Sequence, residues 1–274
     1  MRPADDPIAG ATADLCAAVR ARLASAVRIE DPFPHVIVES LLPEDAFRRL
    51  ADTWPDLAHF WSDRPNKFDL VPMPAGTAPA DARAEAYEQL PADARAAWDT
   101  FIMEVNRRVV GPYLARIFAP EIEERLALLD SARRAAAPLP PYLQPPFRPQ
   151  MNVGRLMVRG HGYRLRPHVD ALAYLATALY YFPREGDTPD MGTTLYRVDR
   201  PLEAAALAVR GKTVYFDEAG ITLARAVDVP FRPNSLLAFA NTPRSAHGMT
   251  ITGKGVLRRA FQSHLSLKGD HDHL

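Results

Sequence analysis

The sequence predicts an α+β protein, with a helical front half packed on a C-terminal half of short strands forming a sandwich, barrel or jelly roll. Three observations lead there. Up to residue 137 the chain is rich in alanine, arginine, glutamate and leucine, and apolar residues recur every three or four positions. Residues 138–150, PLPPYLQPPFRPQ, hold six prolines, which suit neither a helix nor a central strand. Beyond them, β-branched and aromatic segments alternate with turns of glycine, proline, asparagine and aspartate.

Taken in order, residues 12–27 (TADLCAAVRARLASAV) predict a surface helix. Residues 35–39 predict a short strand, and 43–54 a helix opening at Pro43. The stretch 80–137 predicts two or three helices, broken near Pro91 and Pro112, with another after Pro120. Trp98, Phe101, Ile102, Val105 and Val109 lie on one face of it. Strands are expected in NVGRLMV, LATALYYF, TTLYRV, KTVYF, NSLLAFA and RRAFQSHLSL. Residues 61–72 and 184–191 are expected to be polar loops suited to closing over a substrate. One integrated unit over 1–274 is expected: 1–137 mainly helical support, 138–150 a connector and 151–267 the β core.

Composition narrows the function. Lysine and arginine number 33, as do aspartate and glutamate, so no overall field draws the chain to nucleic acid or an anionic membrane. Cys16 is the one cysteine, which excludes an intrachain disulfide and fits a reducing compartment. The start, MRPADDPIAG, has two aspartates and lacks the apolar run of a secretory signal. The longest uncharged apolar run, 171–183, is too short to span a bilayer. A cytoplasmic location is the expectation. Nothing in the pattern fixes an oligomeric state.

The chemistry concentrates in PHVD. His168 and Asp170 stand two apart, so in a strand both side chains leave the same face. His247, in NTPRSAHGM, follows the apolar segment NSLLAFA. Two histidines and one carboxylate on one face of an octahedral ion leave three positions open, as in non-haem iron(II) oxygenases. The HDHL tail carries His271, Asp272 and His273, which at a chain end are expected to be solvated. Such an iron needs a reactant that supplies two electrons. A chelating 2-oxoacid does so, and its far carboxylate calls for a buried arginine, whose planar fork binds it through two bonds. Arg258 and Arg259 lie in the next strand on opposite faces, and alternation alone does not say which points inward.

These segments resemble the prolyl-4-hydroxylase-like branch of the 2-oxoglutarate/iron(II) dioxygenases. PFPHVIVESLLPEDAFRRLADTWP is similar to that family's opening strand and helix. GYRLRPHVD, LATALYYFP, GTTLYR, NSLLAFANTPRSAHG and GVLRRAFQSHL follow in the family's order. The resemblance implies a double-stranded β-helix (jelly roll) core that binds Fe(II) and 2-oxoglutarate, with ascorbate as an optional reductant. It implies His168, Asp170 and His247 as metal ligands, Arg258 as the partner of the distal 2-oxoglutarate carboxylate, and Tyr181 as a hydrogen-bond donor to that carboxylate. Two departures stand out. ITGKG makes the spacing from His247 to the basic residue longer than usual, which keeps Arg259 open, and the family's frequent Gly-Gly is here MGTT, with Gly192 alone. Asp170 favours hydroxylation, because halogenating relatives carry a small residue there. The implied substrate is a prolyl peptide, an amino acid or a small metabolite. The alternative is a cupin-like metal enzyme or a binding protein on the same barrel that does not use 2-oxoglutarate.

Overall fold

The computed structural model describes residues 7–72, 82–135, 148–203 and 213–267. Most of the proline-rich connector, and the HDHL tail, lie outside the described residues.

Two antiparallel sheets carry the β half, and the first half supplies the helices. The helices are α1 (Pro7–Ala24), α2 (Glu44–Asp52), α3 (Ala82–Glu88), α4 (Ala92–Thr100), α5 (Gly111–Ile117) and α6 (Ala119–Ala135). α1 starts earlier than expected and buries Cys16, Val19 and Leu23, one stripe at helical spacing. α2 follows Pro43 and buries Phe47 and Leu50. The expected break at Pro112 does not occur. A π-helical stretch, Phe101–Val110, joins α4 to α5, and helical dihedrals run through Val110 and Gly111. Gly111 donates its N–H to the Asn106 carbonyl, five residues back. This wider winding gives room to the ring of Pro112, the second residue of α5.

The first half also contributes strands. β1 (His35–Val38), β2 (Trp61–Arg64) and β3 (Lys67–Leu70) join the larger sheet with β4 (Gln150–Met151), β5 (Arg155–Gly160), β7 (Tyr174–Tyr181), β11 (Ser235–Ala240) and β13 (Leu257–Ser266). The order is β1-β11-β7-β13-β5-β3-β2, with β4 also on β13. The smaller sheet runs β10-β8-β12-β6-β9, from β6 (Arg164–Val169), β8 (Thr193–Val198), β9 (Val214–Tyr215), β10 (Leu223–Val229) and β12 (His247–Thr250). From β5 to β8 and from β10 to β13 the chain passes between the two sheets, a connectivity consistent with the expected jelly roll.

Residues 61–72 are therefore not the expected loop. They form the β2–β3 hairpin, whose register (Lys67 opposite Arg159, Asp69 opposite Met157) extends the large sheet beyond β5.

Strand alternation sorts the core into two layers. Tyr180 and Phe261 face the helices, where Phe101 meets their rings edge-on at 5.1 and 5.3 Å. Trp98 packs on Phe182 at 5.4 Å. Burying side chains of this size stabilises by roughly 1.5–3 kcal/mol each. Asn106, fully buried, ties helix to sheet by accepting from the Tyr180 and Ser263 hydroxyls at 2.8 Å each. The opposite face of the large sheet presents Leu179, Tyr181, Leu237, Phe239 and Ala260 to Leu195 and Met249 of the small sheet. Among the described residues no helix is long and apolar enough to cross a membrane.

Candidate metal centre

Neighbouring strands of the small sheet bring the two histidines together. His247 opens β12 and pairs directly with His168 near the end of β6. The approach is tight: a Cβ on Gly248 would stand 2.7 Å from the Leu165 carbonyl oxygen. The two imidazole centroids are 4.2 Å apart. Asp170 follows β6 and lies with its Oδ1 3.4 Å from His168 Nε2 and its Oδ2 3.7 Å from His247 Nε2. One ligand atom from each residue falls within 4.8 Å of the others, and all three residues are buried. Adjacent ligands on an octahedral ion at about 2.1 Å lie about 3 Å apart, so modest closure suffices.

The polar surroundings prepare these groups for a cation. His168 Nδ1 lies 2.9 Å from the Arg166 carbonyl, and His247 Nδ1 3.0 Å from that of Ser245. A carbonyl only accepts, so in the neutral ring Nδ1 carries the proton and Nε2 turns its lone pair to the site. Burial drives the His247 pKa down to about 4, with His168 adding to the effect. For Asp170, burial favours the neutral acid, but His247 and His168 more than offset this and hold the carboxyl well below its ordinary value.

Sequence reasoning missed the groups behind Asp170. Thr177 donates its hydroxyl to Asp170 Oδ2 at 2.6 Å and accepts from Asn241 Nδ2 at 2.9 Å. That spends the hydroxyl proton, so His264 Nδ1, 3.1 Å away, is also a donor. Burial lowers the His264 pKa to about 4, consistent with a neutral ring. On the backbone side, Arg125 of α6 is 1 % exposed and donates to the carbonyls of Asp170 (3.2 Å), Ala171 (3.1 Å) and Leu172 (3.4 Å). Nothing local in the sequence signals Arg125, because its partners lie far along the chain.

The triad lines a pocket of about 200 Å³ with Arg258, Arg155, Arg159, Thr193 and Gln262. Arg258 is 1 % exposed, and burial lowers its pKa from the usual guanidinium value. Its Nε donates to the Met191 carbonyl at 2.7 Å, while its buried Nη1 has no partner. Met191 closes the segment 184–191 in a 3-10 turn, Pro189–Met191. Gly192 follows at a close approach, where a Cβ would lie 1.7 Å from the Val229 carbonyl oxygen. Arg259 points to the other face, its guanidinium 5.6 Å from the Trp54 ring centre. Tyr181 sits beneath the Arg258 guanidinium, 5.0 Å from ring centre to Cζ, and donates its hydroxyl to Thr193 Oγ1 at 2.7 Å.

The donor set fits iron(II): two imidazole nitrogens and one carboxylate, with no thiolate. The same pocket carries an uncompensated guanidinium for an anion.

No family model matches the chain, and no curated protein matches it. Among solved structures, it resembles a Pseudomonas putida prolyl-4-hydroxylase at 15% identity, covering 92% of this chain and 98% of that one, with a TM-score of 0.46. The non-haem α-ketoglutarate-dependent epimerase SnoN from nogalamycin biosynthesis matches at 14% identity over 94% of this chain and 82% of its own, TM-score 0.43. A 2OG-Fe(II) oxygenase family oxidoreductase from Burkholderia pseudomallei matches at 10% identity over 93% of each chain, TM-score 0.39. These likenesses are distant, and the meaning of the site stands on its own geometry.

Proposed function

We propose that this chain is an iron(II)- and 2-oxoglutarate-dependent oxygenase that hydroxylates an unactivated C–H bond of a small molecule or peptide. The observation that carries this reading is the buried Arg258 Nη1, left without a partner in the pocket of the His168, Asp170 and His247 triad. A buried cation without a counter-ion is costly, and a ligand carboxylate removes that cost.

His168 and His247 would hold the iron through Nε2, and Asp170 through its carboxylate. With iron and 2-oxoglutarate bound, dioxygen would be the oxidant: one oxygen atom would go to the substrate C–H bond and the other to succinate, while decarboxylation of 2-oxoglutarate to succinate and carbon dioxide supplies the two further electrons. The protein's own part is placement. Arg258, fixed by Met191 and supported by the Tyr181 ring, would grip the distal carboxylate. Because the Thr193 hydroxyl accepts from Tyr181, its own proton is free for the same carboxylate. Tyr181 would then act through Thr193 rather than by direct contact. Thr177, Asn241 and His264 would hold one Asp170 oxygen fixed while the other faces the metal. Phe239, in the apolar layer with Leu195 and Leu237, packs against the His247 ring with centroids 4.5 Å apart and would help hold that imidazole in place.

The test is anaerobic addition of Fe(II) and 2-oxoglutarate, followed by oxygen. A visible charge-transfer band and then succinate are expected from the wild type. His168→Ala and Asp170→Ala should lose both, with turnover falling at least about a hundredfold. Iron binding without any 2-oxoglutarate dependence would instead favour the cupin-like alternative.

A further inference from the structure

The pocket holds more positive charge than 2-oxoglutarate needs. Lys67, Arg159 and Arg258 stand opposite one another in one row across β3, β5 and β13. Like charges placed so cost stability unless carboxylates intervene. For two of them carboxylates do: Asp69 meets Arg159 at 2.7 Å, and Asp63 meets Lys67 at 3.0 Å. Arg258 lacks one, and the reading above gives it the distal carboxylate of 2-oxoglutarate.

Arg155 has no ion pair of its own either: it lies near Asp69 and helps hold that carboxyl below its ordinary value, but Arg159 makes the hydrogen bond to it. It shares the pocket face of β5 with Arg159, and its guanidinium rests on a neutral amide oxygen, Gln262 Oε1, through Nε at 3.0 Å and Nη2 at 2.6 Å. Its Nη1 makes no hydrogen bond among the described residues. Arg155 and Arg159 are four residues apart, about 13 Å along the strand. Because Arg258 stands opposite Arg159 and Gln262 opposite Arg155, the two unpaired guanidiniums rise from opposite ends of the pocket. A single distal carboxylate held by Arg258 leaves the partly exposed Arg155 guanidinium free to meet a second anion.

We propose that Arg155, held by Gln262, is the specificity determinant for a substrate bearing an oxyanion, a carboxylate or a phosphate, which it seats in the metal pocket. This rests on the oxygenase reading for its meaning as substrate recognition, but the anion site can be tested separately.

The protein, loaded anaerobically with Fe(II) alone and with Fe(II) plus 2-oxoglutarate, is titrated calorimetrically with butyrate, ethyl phosphate and neutral butyramide. Butyrate or ethyl phosphate should bind the doubly loaded wild type and butyramide should not; the tighter anion identifies the headgroup. Arg155→Gln should weaken anion binding at least tenfold and leave 2-oxoglutarate affinity unchanged. Gln262→Glu supplies Arg155 with a carboxylate and should give the same loss with the arginine present, which separates occupation of the guanidinium from a folding defect. Equal anion binding by wild type and Arg155→Gln, or butyramide binding as well as butyrate, overturns the proposal. If 2-oxoglutarate fails to bind while butyrate still requires Arg155, the oxygenase reading falls and the anion site stands. If 2-oxoglutarate binds and neither anion does, the reverse holds.

Discussion

His168 and His247 are prepared by the same device, a carbonyl two residues earlier that accepts a hydrogen bond from Nδ1–H. The spacing of His168 and Asp170 was legible because a strand returns side chains to one face every second residue. Thr177 was not, since nothing in LATALYYF separates a buried hydroxyl that packs from one that steadies a carboxylate. The same limit applied to the adjacent arginines. Both ends of RRAFQSH alternate cleanly, and only the neighbouring layers reveal that Arg258 faces the triad while Arg259 meets Trp54. Arg258→Gln is therefore expected to weaken 2-oxoglutarate binding by about 2 kcal/mol or more, roughly thirtyfold, with iron still bound. Anaerobic titration of the Fe(II) protein measures this. Unchanged affinity would remove Arg258 from the proposed role.

At the scale of elements, pairing decides the site. The β12–β6 contact carries one histidine on each strand, and Gly248 lets the strands approach to the required distance. Gly248→Ala is expected to cost about 1–3 kcal/mol of stability. It should also weaken iron binding, because parting the strands moves His247 from His168. A variant with lower thermal stability but wild-type iron affinity would show that the pairing is not what sets the ligand spacing. Elements defined by local pattern, such as the stripe from Trp98 to Val109, were legible in the sequence. The β2–β3 hairpin was not: WSDRPNKFDL is too polar to signal a strand, and its place comes from backbone pairing with β5. β10 was hidden likewise, since LARAVDV shows little β pattern alone and takes its form from β8. The π-helical stretch was invisible, because a proline marks a break more readily than a change of winding.

For the whole molecule, the buried histidines link the site to folding. His247 and His264, each with a pKa near 4 in the fold, recover a value near 6.5 when unfolded. Between those values the unfolded chain binds more protons, so stability rises with pH through the window and falls as pH drops from about 6.5 toward 4. The slope is about 1.4 kcal/mol per pH unit for each histidine. The urea midpoint of the metal-free protein should therefore fall between pH 7 and pH 5.5. A midpoint that stays level would show that these rings are already solvated or charged in the native state.

Arg125 adds a consequence at this scale. It reaches from α6 to three successive carbonyls beginning at Asp170, so the helical layer is bonded to the backbone that presents this proposed ligand. The β half is thus not a self-sufficient cassette. Grafted into another scaffold without α6, it would keep the His-x-Asp motif but lose the clasp that fixes the turn after it.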